Sequence, residues 1–265
     1  MSVVIVIQAR VGSTRFPRKI LQDILGKPVL LRQLERVSQA KSFDKLVVAT
    51  TLSPDDDIIE EICKNDGYEV FRGSENDLLD RHYQVGKKYN ADNIVKIPSD
   101  CPLIDPKIID KVIYYFIDNI DKYDFVSNLH PASYPDGNDV EIMTMSALEI
   151  AWKEAKVDFE REHTTPFIWD NPERFRIGNV EWEAQQNLSM DYRFTIDYLE
   201  DYQFIKTVYE ELYPINPKFS LDDILDLLKQ KPEIKEINSK YNGVNWYRNH
   251  INQLKTVAPT ETKFI

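Results

Sequence analysis

The sequence predicts an α/β protein built on a parallel sheet with helices on both faces. Two observations carry that prediction. Apolar, β-branched runs of strand length alternate with segments of helical period through the first hundred residues. The first strand is apolar throughout rather than alternating, as expected where both faces of a sheet are covered. Val3-Val4-Ile5-Val6-Ile7 is the first such run, and a polar loop, Arg10 to Arg18, follows it. Pro28 stands where a helix can start, and Leu30, Leu31, Leu34 and Val37 recur at helical spacing. Leu46-Val47-Val48-Ala49 is a second strand, and Ser53-Pro54-Asp55 supplies an N-cap, a first-turn proline and an acid for a helix through Ile58, Ile59 and Ile62. Tyr68 to Phe71 is a third strand and Asp77 to Tyr89 a helix with Leu78, Leu79 and Val85 inward. Ile94-Val95-Lys96-Ile97 is a fourth strand, ending at Pro98-Ser99-Asp100-Cys101-Pro102.

The second half is less regular. Tyr134-Pro135-Asp136-Gly137 signals a turn before a strand over Asp139 to Met143. Helical patterns follow at Ser146 to Ala155 and Asp158 to Asp170, then strands at Phe175 to Val180 and Tyr192 to Ile196, and helices at Leu199 to Leu212 and Leu221 to Leu228. Residues 1–240 are expected to form a single domain, with a lobe near residues 128–190 and residues 241–265 as a peripheral extension.

Composition narrows the function. With 265 residues and 42% apolar content the chain can bury one large core. A net charge of -11 argues against a nucleic-acid partner, whose phosphates need a basic face. No apolar run reaches the roughly 18 residues of a membrane span, and Met1 to Arg10 lacks the basic start and small-residue cleavage site of a secretory signal. Two cysteines, Cys63 and Cys101, fit a reducing compartment, so the expected location is cytoplasmic.

Against the acidic background, Arg10, Arg15, Arg18 and Lys19 cluster within ten residues, directly after the first strand. Ligands of parallel α/β sheets sit beyond the carboxyl ends of strands. Backbone N–H groups near Gly12, the Ser13 hydroxyl and several cations together suit a polyphosphate, although the segment matches neither a Walker A loop nor G-x-G-x-x-G. Asp100 also follows a strand directly. It is either a turn or N-cap aspartate or a ligand for Mg²⁺, which favours one or two carboxylates plus phosphate oxygens. Asp197, after Phe194-Thr195-Ile196, would make a second such carboxylate, whereas Asp105 precedes Pro106 as a helix cap would. Cys101 lacks a legible Cys–His–acid set and reads as a buried small residue. Asp55-Asp56-Asp57 falls in a first helical turn, where acids are favoured. Glu162 and His163 fit no common zinc spacing, and His82, His130 and His250 carry no recognisable role.

Ile7-Gln8-Ala9-Arg10, Gly12-Ser13-Thr14-Arg15, Pro17 and Lys19 together resemble the opening signature of the cytidylyltransferases that make CMP-linked acidic sugars. The likeness is to the SpsF-like branch, the spore-coat polysaccharide cytidylyltransferases. It continues in order through Val48-Ala49-Thr50, Phe71-Arg72-Gly73-Ser74, Leu79-Asp80-Arg81, Asp100-Cys101-Pro102-Leu103-Ile104-Asp105, Tyr134-Pro135-Asp136-Gly137, Asp139-Val140-Glu141, Glu160-Arg161-Glu162-His163-Thr164 and Thr195-Ile196-Asp197, covering roughly residues 3–212. The resemblance implies a three-layer αβα sandwich of Rossmann-like, nucleotide-diphospho-sugar transferase type with a small lobe. It implies that the loop carrying Ala9, Arg10, Gly12, Ser13, Arg15 and Lys19 wraps the triphosphate of CTP, and that Arg72, Ser74 and Asp77 belong to the base-recognition loop. By the same likeness Asp100 and Asp197 hold Mg²⁺, while Asp136, Asp139, Glu141, Arg161 and His163 lie in acceptor segments. The sequence departs from the pattern at Ser99, where glycine is usual, and at Pro98, where threonine is common; both bear on the acceptor more than on turnover.

The implied chemistry is in-line attack of an acceptor oxygen on the α-phosphorus of CTP, with Arg15 and Lys19 stabilising the departing pyrophosphate. The acceptor is a small acidic or phosphorylated metabolite for surface polysaccharide assembly. A sugar-nucleotide-dependent glycosyltransferase of related fold, or a nucleotide-binding protein without turnover, are the alternatives, and a homodimer is expected only from the likeness.

Overall fold

A computed structural model describes residues 1–183 and 186–265. The chain runs β1 (Val3–Gln8), β2 (Asp23–Ile24), β3 (Lys27–Pro28), α1 (Val29–Val37), β4 (Lys45–Thr51), α2 (Asp57–Asn65), β5 (Glu69–Gly73), α3 (Leu78–Tyr89), β6 (Asn93–Pro98) and α4 (Pro106–Asp118). It continues with β7 (Phe125–Ser127), β8 (Glu141–Thr144), α5 (Met145–Glu154), α6 (Asp158–His163), α7 (Pro166–Trp169), β9 (Ile177–Asn179), α8 (Leu199–Leu212), α9 (Leu221–Gln230) and α10 (Pro232–Glu236).

Seven strands form one sheet in the order β5-β4-β1-β6-β8-β7-β9. The first four are mutually parallel, while β8 runs antiparallel to both β6 and β7, and β9 pairs parallel with β7. The apolar run of β1 explains its central place. Val3, Ile5 and Ile7 pack into one core with α1, α4, α8 and α9, and Val4 and Val6 into the other with α3, α5 and α7. Two cores on either side of one sheet make three layers, as expected.

From β1 the chain first adds β4 and β5 on one side, then crosses to β6 on the other. The order reverses between β1 and β6, and a crevice opens there at the carboxyl ends. Gln8, the last residue of β1, stands opposite Ala49 on one side and Pro98 on the other. The basic loop and the Asp100 loop therefore start side by side.

Several expectations need correction. Residues 128–190, anticipated as a lobe, supply β8 and β9 to the main sheet. The helix over Asp158 to Asp170 breaks into α6 and α7, because Thr164 between them takes φ 72°. Tyr192 to Ile196 is not a strand; it makes an isolated bridge between Arg193 and Asp136. The segment 241–265 is not peripheral, for Val244, Tyr247, Leu254 and Val257 are buried. Lys255 and Thr256 donate backbone N–H bonds to the Asp170 carboxylate after α7, fixing that segment to the body.

Candidate active site

A cleft of roughly 790 Å³ opens over the carboxyl ends of β1 and β6. One wall is the loop after β1. Ala9 N–H donates to Ala49 O at 3.0 Å, Val11 N–H to the Asp56 carboxylate at 2.8 Å, and Arg18 N–H back to Val11 O at 3.2 Å. Asp56 of the acidic triplet is thus a buried brace for this loop. A Cβ at Gly12 would meet nothing within 4 Å, since that residue faces the open cleft.

The opposite wall is the Pro98–Asp105 turn, whose carbonyls are tied down one by one. Gln33 donates to Pro98 O at 2.6 Å, Tyr209 to Pro102 O at 2.8 Å, and Arg36 to Ile104 O at 2.9 Å. Asp105 caps α4 through Lys107 N–H at 2.8 Å, as its place before Pro106 predicts. Asp100 O accepts from Ile196 N–H at 2.9 Å and from the Thr195 hydroxyl at 3.1 Å. Two aspartates far apart in sequence are stitched together by backbone.

Lys19 completes the arrangement. Its ammonium lies 3.0 Å from Asp100 Oδ2, 3.0 Å from Asp197 Oδ1 and 2.6 Å from Ile196 O. Arg15 reaches the same Asp197 Oδ1 at 2.6 Å. Burial works against the charge on Lys19, but Asp100 and Asp197 outweigh it and hold its pKa above the usual lysine value. Burial likewise opposes the charge on Asp197, yet Lys19, Arg193 and Arg15 hold its carboxyl far below the usual range. One ammonium thus lies within hydrogen-bond reach of both carboxylates.

Arg193, which sequence reasoning missed, is the anchor beneath this pair. It is 1% exposed and donates to Asp136 at 3.2 Å, Asp197 at 2.9 Å and Asp201 at 3.0 Å, and to Val244 O. Asp201 in turn receives the backbone N–H groups of Asp197 and Tyr198 at 2.9 and 3.0 Å, capping α8. The signal in sequence was the i, i+4, i+8 spacing of Arg193, Asp197 and Asp201, which resembles an ordinary exposed charge ladder.

Of the residues expected on the acceptor side, Asp136, Asp139, Glu141, Arg161 and His163 all line the cleft. Burial, only partly relieved by Arg193, lifts the Asp136 carboxyl well above its usual range. Burial, then Asp100 and Glu141, push Asp139 up to about 6. Glu141 pairs with Lys96, its cross-strand neighbour on β6, and accepts the Thr165 hydroxyl at 2.6 Å. Arg161 is already engaged: it grips the Asp77 carboxylate at 2.7 Å through Nε and Nη2, and its Nη1 donates to Trp152 O and Ala155 O at 3.0 Å. Its guanidinium staples α6 to the head of α3 rather than standing ready for an acceptor.

Arg72, Ser74 and Asp77 do not line the cleft; Glu75, Asn76, Leu78 and Arg81 from the same stretch do. Arg72 points to α2, donating to Asp57, to Glu60 at 3.1 Å, and to Thr51 O and Ser53 O at 2.8 and 2.7 Å. Asp77 caps α3 and holds Arg161. Cys101 is buried with its thiol pushed well above the usual value by burial and by Asp139, Asp100 and Asp136, which suits packing and not nucleophilic attack. His82 is buried against Leu78 O. His130 and His250, which carried no sequence signal, both face the cleft, with His130 stacked on Trp169 at 4.1 Å.

A mainly parallel α/β sheet whose switch-point cleft sets a basic loop against Asp100, after β6, and Asp197, before α8, is an arrangement suited to nucleotidyl transfer. Comparison with known proteins makes the class specific. Residues 4–231 match the family model described as cytidylyltransferase, and the chain belongs to that family of CTP-dependent nucleotidyltransferases. It is 38% identical to an uncharacterized protein of Methanocaldococcus jannaschii over 90% of this chain and 95% of that one. It is 33% identical to the spore coat polysaccharide biosynthesis protein SpsF of Bacillus subtilis over 87% of this chain and 95% of the relative. A solved cytidylyltransferase from Leptospira borgpetersenii superposes with a TM-score of 0.84 at 39% identity, covering 89% of this chain and 97% of the other. Among the described residues no helix is long and apolar enough to cross a membrane.

Proposed function

We propose that this chain transfers CMP from CTP to a small anionic acceptor, an acidic sugar or a phosphorylated metabolite, and releases pyrophosphate, in surface polysaccharide assembly. The observation that carries the reading is Lys19, whose ammonium bridges Asp100 and Asp197 at 3.0 Å each beside the basic loop. The name of the Bacillus subtilis relative supports the polysaccharide setting.

The residues fit a divalent ion. Two carboxylates converging on one cation are an all-oxygen donor set of the size Mg²⁺ draws from proteins, phosphate oxygens completing its shell. Asp100 and Asp197 would hold Mg²⁺, which when bound offsets charge developing on the phosphates. The chain's own groups position the reactants. When nucleotide enters, Arg15 and Lys19 exchange their carboxylate partners for β- and γ-phosphate oxygens. Arg10 and the backbone around Gly12 and Ser13 surround the rest of the triphosphate. The acceptor oxygen, a phosphate oxygen or a hydroxyl that gives up its proton to solvent, attacks the α-phosphorus, the bond from that phosphorus to the bridging oxygen breaks, and the electron pair leaves with pyrophosphate. Asp136 and Asp139 line the acceptor side and accept hydrogen bonds from its hydroxyls. Arg193 holds Asp136 and Asp197 in fixed relation.

Pyrophosphate release, measured with each of the four common nucleoside triphosphates and a panel of sugar acids and sugar phosphates, tests the reading. Release from CTP alone, abolished in Asp100→Asn and Asp197→Asn with the fold retained, is the expected result. Consumption of a UDP- or GDP-sugar without pyrophosphate would instead identify a glycosyltransferase.

A further inference from the structure

The cleft lining includes an unbroken stretch, Val244 to His250, that lies beyond the matched family region ending at residue 231. This stretch is built into the site. At its root Asn238, 2% exposed, donates to Arg193 O at 2.9 Å and to Asp201 at 3.0 Å, so the segment is anchored on the charge network beneath Asp197. At its far end the Asp170 carboxylate receives Lys255 and Thr256. Between the anchors, Trp246 lies flat on His163 of α6, with ring centres 3.8 Å apart and planes 15° from parallel. Tyr247 packs against His130 and Trp169. The segment therefore faces the part of the cleft formed by α6 and α7.

A census of cleft cations isolates one residue on it. Arg15 and Lys19 are paired with Asp100 and Asp197, Lys96 with Glu141, Arg161 with Asp77, and Arg193 with three aspartates. Among the described residues, Arg10, Arg81 and Arg248 line the cleft without a carboxylate within 4.0 Å. Arg81 donates to Ala49 O at 3.3 Å, over β4, and Arg10 lies close enough to both Arg81 and His163 for each to feel its charge. Arg248 stands apart. Its guanidinium makes only long contacts, 3.3 Å to Asn245 O and 3.4 Å to the Tyr198 hydroxyl next to Asp197. It is half-buried, with donor capacity left over.

We infer that the segment 244–250 is the acceptor-selecting wall of the enzyme: Arg248 binds the acceptor's anionic group, and the Trp246–His163 stack packs against its carbon skeleton. A guanidinium that is uncompensated and partly shielded from water, with donors to spare, is a strong receptor for a carboxylate or phosphate. A stacked aromatic pair offers the flat apolar face on which a sugar ring rests. The inference rests on the anionic-acceptor reading above and adds the residues that read it.

The test uses the full-length enzyme, with Arg248→Ala, Arg248→Lys and Trp246→Ala checked for unchanged melting. Turnover is followed at saturating CTP with each sugar acid and sugar phosphate that the wild type accepts, and CTP affinity is measured separately by calorimetry. Arg248→Ala is expected to raise the acceptor KM roughly 10- to 100-fold, with CTP affinity held within about twofold. Arg248→Lys should recover part of the loss, and Trp246→Ala should raise the KM for ring-bearing acceptors. An unchanged acceptor KM overturns the inference. So does a fall in CTP affinity that tracks the rise in KM, which would make a nucleotide phosphate the ligand of Arg248. A wild-type enzyme inert toward the whole panel would overturn the acceptor class itself, and that result is visible before any variant is made.

Discussion

Replacing Lys19 with methionine removes the ammonium shared by Asp100 and Asp197 while keeping the length of the side chain. The two carboxylates are not equally exposed to the loss. Asp197 retains Arg15 at 2.6 Å and Arg193 at 2.9 Å. Among the described residues Asp100 keeps no cation within 4.0 Å, only the Cys101 thiol at 3.8 Å. The site is intermediate in burial, with side-chain exposures of 14% for Lys19, 28% for Asp100 and 19% for Asp197. The cost should therefore fall between that of a surface pair and a buried one, about 2–3 kcal/mol. For a chain of this size that lowers Tm by roughly 5–10 °C. The pH dependence follows from the shifts. The raised pKa of Lys19 makes its contribution complete at neutral pH, and it is lost only as pH rises through that folded value. The depressed Asp197 contributes above its ordinary value of 3.8 and ceases to contribute as pH falls through its lower folded one. The gap between wild type and variant should thus be widest near neutrality and narrow in acid. Millimolar MgCl₂ supplies the decisive arm. An ion held by both carboxylates competes with Lys19, so Mg²⁺ should raise the Tm of Lys19→Met more than that of wild type, measured by differential scanning calorimetry without nucleotide. At an ion concentration about tenfold above Kd, the stabilisation is about 1.4 kcal/mol. A variant that loses Tm but responds to Mg²⁺ no more than wild type would refute the shared-ion geometry.

Two further substitutions probe the floor of the cleft. Gly137 sits at φ +98°, and a Cβ there would lie 2.6 Å from the Phe194 carbonyl carbon and 2.8 Å from Thr195 N, both rigid backbone. Gly137→Ala should cost about 3 kcal/mol from strain and overpacking together, and a Tm within about 1 °C of wild type would refute the contact. Asp139, pushed up to about 6, keeps its proton in the native state where the unfolded chain has lost it. Wild-type stability should therefore fall as pH rises from 3.8 toward 6, by about 2–3 kcal/mol, then level off. Asp139→Asn should reduce that slope to the part owed to Asp136, whose carboxyl burial also lifts, and an unchanged slope in urea titrations between about pH 4 and 6 would assign the effect elsewhere.

Legibility in the sequence tracked the range of the interactions. The centre of the parallel half could be read because β1 is buried on both faces, so Val3–Ile7 is apolar without interruption, and β6 breaks its apolar run only at Lys96, which pairs with Glu141. The basic loop and Asp100 could be read because each follows such a strand directly. Arg72 misled because it sits in a stretch that reaches the cleft at Glu75 and Asn76, while its fate depends on Asp57 and Glu60, a helix away. Arg161 misled in the same way: its partner Asp77 lies on another element, and no spacing rule connects them. Tyr192 to Ile196 has the composition of a strand, but Arg193 is turned inward to three aspartates, and the backbone follows that network instead of a ladder. The polar tail from Tyr241 onward has no period because it packs residue by residue into a groove, through Val244, Tyr247, Leu254 and Val257.

The same network decides which parts of the site can move. A buried guanidinium costs several kcal/mol to uncover once its partners are in place, and Arg193 has carboxylates on three sides as well as Val244 O. Asp136, Asp197, Asp201 and the root of the tail are thereby locked into one rigid unit, with Gly137 pressed against Phe194. Arg15 is 45% exposed and reaches its partner from a loop whose tip is open to solvent. Breaking such an exposed pair costs little, so the cationic loop is the element free to exchange a carboxylate for a phosphate while the carboxylates stay in place. Charge matching across the cleft is thus asymmetric by construction: Asp197 is held from below by buried Arg193 and from above by the more exposed Arg15.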